Sequence, residues 1–184
     1  MDPHQLANFP TAPNWALVVG STGIIAVYTT LAASILSLLL AFVNKPKLMR
    51  PVFAIGCVAM IVAFGSLATL FTTDQFSFDY IFRHSSKENP FSYKLASIWT
   101  AQEGSFMLWA VFSAIVALLT FRKSEDYERP YVGSFAVILG VLAAILVKES
   151  PFLIPKEAYD GARVLLPPDG RGMVPSLQNY WVVI

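Results

Sequence analysis

The chain has 184 residues, 55% of them hydrophobic and only 14% charged, with a mean hydropathy of +0.57, a balance that a soluble domain of this length cannot hide in one core. A net charge of +1 at pH 7 excludes the basic surface on which nucleic-acid binding depends. The single cysteine, Cys57, excludes an internal disulfide and any cysteine cluster for zinc or iron–sulfur chemistry.

The N-terminal segment carries Asp2 but no lysine or arginine, and the apolar run after it is far longer than the roughly 7–15 residues of a cleavable signal's core. The first helix is therefore expected to be retained. A bilayer core of about 30 Å needs about 20 apolar residues in a helix, and four stretches qualify. The first, 16–43, is uncharged and is punctuated by Gly20, Gly23, Ala32, Ala33, Ser34 and Ser37, small residues suited to close helix contact. The second, 51–72, has Pro51 at its start, where a missing N–H is harmless. The third, 95–121, is interrupted by Gln102, Glu103, Gly104 and Ser105. The fourth, 131–147, is short for a span and is edged by Tyr127 and Tyr131.

The expected fold is all-α, a polytopic membrane protein with a single membrane domain over 1–184 and outer loops at 73–94 and 148–184. Lys45, Lys47 and Arg50 in the first connection, with Arg122, Lys123 and Arg129 in the third, place those connections in the cytoplasm. The N-terminus and the tail then lie on the outer side. The tail is rich in proline and glycine (Pro151, Pro155, Pro167, Pro168, Pro175; Gly161, Gly170, Gly172) and reads as an ordered or docked loop.

Trp99 to Trp109 is the most informative stretch, because a carboxylate and an amide beside a long apolar run are costly unless they meet protein or water. On a continuous helix, Trp99, Gln102, Glu103, Phe106, Trp109 and Ala110 fall within an arc of about 120°, so one face presents two indoles and an acid to a flat aromatic ligand. The same residues suit a helix that starts at the headgroup level with its tryptophans as belt anchors, and the residues alone leave both readings open. Gly104 and Ser105 fit a close helix contact or a break.

Arg83 and His84 offer a cation for an acidic ligand and an imidazole for a metal, and solvation explains them as well. His4 lies in the N-terminal tail. In Pro167-Pro-Asp-Gly-Arg-Gly172 the turn residues present Arg171 to a carboxylate. That loop lacks the setting and the lysine of a phosphate-binding loop.

Several motifs together resemble the CcmF-type haem lyase family of cytochrome c maturation. They are Phe78-Asp-Tyr-Ile-Phe-Arg-His-Ser85, Tyr93-Lys-Leu-Ala-Ser-Ile-Trp99, Gln102-Glu-Gly-Ser105, Leu108-Trp109, Glu149-Ser-Pro-Phe152, and Pro168-Asp-Gly-Arg-Gly172 with Pro175-Ser-Leu-Gln178. The resemblance implies a multi-pass protein of the cytoplasmic (inner) membrane that presents haem on the outer, periplasmic face for attachment to apocytochrome c. It implies as partners a haem chaperone, a thiol-reducing membrane protein and apocytochrome c, and it marks Trp99, Glu103, Gly104, Ser105, Trp109 and Arg171 as a haem-contacting or structural set, with no catalytic or metal-ligating residue.

Two departures stand out. Gln102 takes the place of a usual histidine, and the family's His-Pro-Pro element normally follows a segment like Gln178-Asn-Tyr-Trp-Val-Val-Ile184, where this sequence ends. The expectation is an N-terminal fragment, or one half of a split protein whose C-terminal half is separately encoded, binding haem weakly or not at all and not catalytic alone. The alternatives are a transporter or proton-pathway subunit, built on Glu103, and a non-catalytic membrane adaptor.

Overall fold

The computed structural model describes residues 9–121, 127–160 and 163–172. His4, Arg122, Lys123, Gly161, Pro175-Ser-Leu-Gln178 and the segment to Ile184 lie outside the described residues. The protein is mostly helical, and among the described residues four helices are long and apolar enough to cross a membrane. They are α1 (Asn14–Phe42), α2 (Pro46–Thr72), α5 (Gln102–Thr120) and α6 (Glu128–Lys148), with two short helices between α2 and α5, α3 (Asp79–His84) and α4 (Phe91–Ser97).

Three boundaries differ from the sequence expectation for physical reasons. Helix α2 begins at Pro46, so Pro46 takes the first-turn position assigned to Pro51, and Pro51 lies inside the helix. The third stretch is divided: Leu95–Ser97 ends α4, turns and bends occupy 98–101, and α5 starts at Gln102. Helix α6 has 21 residues, starting at Glu128 with Pro130 in its first turn. At 1.5 Å per residue it is roughly 31 Å long, enough for the hydrocarbon core.

The chain forms two compact units. One comprises residues 1–21, 66–104 and 151–184; the other comprises 22–65 and 105–150.

In the second unit, alanines at buried positions (Ala33, Ala63, Ala110, Ala114, Ala136, Ala143) let helices approach closely. The buried Thr30 hydroxyl donates across helices to the Gly56 carbonyl at 3.0 Å. Tyr131 donates to the Ala117 carbonyl at 3.0 Å, and its ring stands beside Phe121. Arg50 pairs with Glu128 and lies over the Phe121 ring, which brings the basic start of α2 to the start of α6. Val58, Phe112, Leu119 and Val141 remain exposed, an apolar exterior that lipid or another membrane protein covers.

The first unit is built from large side chains. Phe71, Phe76, Phe78, Tyr80, Ile81, Ile98 and Phe152 are all buried. The tail enters this core. The two-residue strands β1 (Tyr159–Asp160) and β2 (Arg163–Val164) pair antiparallel, and Leu165 bridges to Thr11. The buried Ser77 hydroxyl donates to the Leu165 carbonyl at 2.9 Å, and the Asp79 N–H to that of Leu153 at 2.9 Å. The tail, as far as Gly172, is thus docked through backbone hydrogen bonds.

Candidate functional site

Of the residues singled out by sequence, Trp99, Glu103 and Gly104 lie at the turn between α4 and α5. The chain leaves α4 with the Ile98 and Trp99 N–H groups bonded back to Leu95 and Ala96, and the Thr100 hydroxyl caps the Ser97 carbonyl at 3.0 Å. This turn is held from α3: the Tyr80 hydroxyl donates to the Ile98 carbonyl at 3.0 Å. Burial, and then the negative charge of Glu103, push the Tyr80 phenol above its ordinary range, so it stays protonated as a donor. Gly104 lies against that bond. A Cβ there would fall 1.8 Å from the Ile98 oxygen and 2.2 Å from the Tyr80 oxygen, so no other residue fits without moving the turn.

Glu103 occupies the first turn of α5, where the helix N-terminus favours an acid. Its carboxylate lies 3.7 Å from the Arg83 guanidinium, which also bonds Asp79 at 2.6 Å. One half-exposed cation thus serves two carboxylates, and Glu103 is not a lone acid in an apolar helix.

His84 holds Nδ1 2.8 Å from the Tyr80 carbonyl. A carbonyl only accepts, so Nδ1 carries the proton, and the ring packs on Tyr80 at 4.7 Å between centroids. Among the described residues no group of three or more His, Cys, Asp or Glu side chains is arranged to hold a metal.

The Pro-Asp-Gly-Arg loop docks on the end of α3. Asp169 accepts from the Lys87 N–H at 2.9 Å and from its neighbour Gly170 at 2.8 Å, with the Ser86 hydroxyl at 3.3 Å. Chiefly the Lys87 N–H, helped by Gly170 and Ser86, holds this carboxyl below its usual range. The Arg171 N–H donates to the Phe82 carbonyl at 2.7 Å and the Gly172 N–H to that of Ser85 at 3.0 Å. The Arg171 guanidinium lies 5.6 Å from the Phe82 ring centre, an exposed cation over an aromatic face.

Of the two readings left open for this stretch, the single continuous helical face is not the one found. Trp99 lies in the turn before α5, so the indole–acid–indole arc over Trp99, Glu103 and Trp109 does not form on one helix. Trp99, Glu103, Gly104 and Arg171 belong to the first unit, Ser105 and Trp109 to the second. Trp99 is 39% exposed and Trp109 66%. The sequence reading quoted Tyr80 and Asp169 only inside the family motifs 78–85 and 168–172 and gave neither a role of its own; the turn chemistry of Asp-Gly hinted at the second, and nothing beyond the motif marks the first.

No protein-family model matches the chain. It is 30% identical over 126 residues to the "Cytochrome c-type biogenesis protein CcmF" of Pseudomonas fluorescens, a match covering 68% of this chain and 19% of that protein. The protein of that name from Haemophilus influenzae is 29% identical over 130 residues, with the same coverage of each. A solved structure, "Cytochrome c Heme Lyase CcmF", superposes with a TM-score of 0.68 at 26% identity over 75% of this chain and 25% of that one. The chain belongs to the CcmF-type family. Relatedness extends to the "Cytochrome c-type biogenesis protein CycK" of Rhizobium meliloti, 27% identical over 88% of this chain and 24% of that protein. This CcmF-type chain spans about a fifth to a quarter of the length of the relatives it matches.

Proposed function

We propose that this multi-pass membrane chain is a haem-handling component of cytochrome c maturation, acting at the outer face of the inner membrane. The observation that carries this reading is the turn from Trp99 to Gly104, pinned at the head of an apolar helix by Tyr80 of α3, the short helix on whose end the Arg171 loop docks, in a chain related to cytochrome c biogenesis proteins.

The residues of the first unit suit the edge of a haem. Arg171 is an exposed cation suited to a propionate, and Trp99 presents an indole to a porphyrin plane. Haem, when bound, supplies the vinyl groups for attachment. The chain's own residues orient its edge and shield it, and iron ligation falls to histidines supplied elsewhere. In this reading Gly104 and Glu103 are positioning residues, Ser105 belongs to the same helix start, and Trp109 contacts lipid or a partner from the second unit. The pairing of Arg50 with Glu128 gathers basic residues at one end of the second unit, which supports a cytoplasmic position for that end. Apocytochrome c, a haem chaperone and a thiol-reducing partner are the partners of this reading. The engagement of Glu103 by Arg83 disfavours a proton pathway through that acid.

The test is complementation of a strain lacking the gene, scored by haem staining of c-type cytochromes. Arg171→Ala and Trp99→Ala are expected to lower the stain at unchanged membrane level of the protein. Full activity of both variants would remove the haem-edge assignment.

A further inference from the structure

Helix α4 is turned inside out for a helix in water. Its one charged residue, Lys94, is buried with its ammonium 2.6 Å from Asp74, and Ser97 is buried too, its hydroxyl donating to the Tyr93 carbonyl at 2.8 Å. The exposed face instead carries Phe91, Leu95 and Trp99, spaced four residues apart and so in line on one side. Phe91 is 64% exposed. The stripe continues past the end of α4 because the Trp99 N–H bonds back to the Ala96 carbonyl. Enclosing an ammonium while presenting a phenyl ring is costly where the outer face meets water, and favourable where it meets hydrocarbon.

Two tethers fix the level of this helix. Lys94 is bonded to Asp74, two residues beyond the end of α2 at Thr72, and Trp99 stands three residues before the start of α5 at Gln102. Both α2 and α5 are long and apolar enough to cross a membrane, so these two ends mark the edge of the hydrocarbon. Trp15, also exposed, lies in the first turn of α1, whose start shares that edge, and indoles gather at the headgroup level. We infer that α4 is an interfacial helix, lying in the leaflet at the level where α2 ends and α5 starts, with Phe91 and Leu95 inserted among phospholipid acyl chains. The lipid then sets the depth at which the turn before α5 is presented. The inference rests on the membrane spans and on α4 itself, and does not depend on haem handling.

The test uses the full chain carrying Cys57→Ala in phosphatidylcholine nanodiscs, spin-labelled in turn at Phe91→Cys, at Leu95→Cys and, as a reference in water, at the exposed Glu88→Cys. Collision of each label is measured with oxygen, which concentrates in lipid, and with a water-soluble nickel chelate. Oxygen should prevail at 91 and 95 and nickel at 88. Two labels on one stripe keep the result readable if either disturbs folding. Nickel prevailing at 91 and 95 would put the face in water and overturn the proposal. Low rates with both reagents at these positions would overturn it as well, because protein rather than lipid would then cover the face.

Discussion

The Tyr80 hydroxyl reaches the Ile98 carbonyl at 3.0 Å across 18 residues of sequence, and Gly104 closes on the same bond from the first turn of α5. A short helix thereby fixes where a membrane-spanning helix starts and how the Trp99 turn is presented.

Gly104→Ala is expected to cost about 3 kcal/mol or more, because its methyl meets backbone as well as a phenol that is itself buried. Thermal unfolding in detergent, with the membrane level of the protein alongside, checks this. Tyr80→Phe removes only the donor and should cost about 1–2 kcal/mol. The glycine variant should therefore be the more damaging of the two.

Lys94 is almost fully buried and its ammonium lies 2.6 Å from both Asp74 oxygens. Lys94→Met strands a partly buried carboxylate and should destabilise by about 2 kcal/mol. The double variant with Asp74→Asn should recover part of that loss, since asparagine tolerates the positive φ of 55° at this position. A double-mutant cycle from unfolding midpoints measures the coupling.

The Asp169 loop gives a pH dependence with a definite sign. Its carboxyl is depressed in the folded protein relative to the unfolded chain. The docking it contributes is therefore complete above the unfolded value, near 3.8, and is lost as pH falls through the lower folded value. Asp169→Asn should reproduce the acid state at neutral pH. The readout is faster hydrogen exchange at the Arg171 and Gly172 amides, which bond Phe82 and Ser85.

The four spans were legible because apolar runs of that length have few other uses, and the family was legible because several separate motifs pointed to it together. The division of the stretch 95–121 was not. Its cause lies in the Tyr80 bond and the close approach at Gly104, both made by residues distant in sequence, while Leu95–Ser97 is as apolar as a span requires. The start of α2 was misplaced because Pro46 and Pro51 carry the same local signal. For Trp99, Glu103 and Trp109 the helical arc held only on an unbroken helix. For Arg171 the sequence showed a turn, and the structure added its anchor on Phe82 and Ser85.

Glu103 shares Arg83 with Asp79, and its side chain is only 20% exposed. Glu103→Gln leaves Arg83 bonded to Asp79 at 2.6 Å, so the stability cost should stay within about 1 kcal/mol. A proton pathway would lose all activity with this change. The present reading expects only a partial loss of cytochrome c yield, and Arg83→Gln, which releases both carboxylates, should lower it more.

The central claim is a role in cytochrome c maturation, and the most direct measurement is haem staining of c-type cytochromes in the native host after deletion of the gene. The account predicts that covalently haem-bearing cytochromes are lost while their apoproteins are still made, and that the wild-type chain restores them. Unchanged staining in the deletion strain would contradict it.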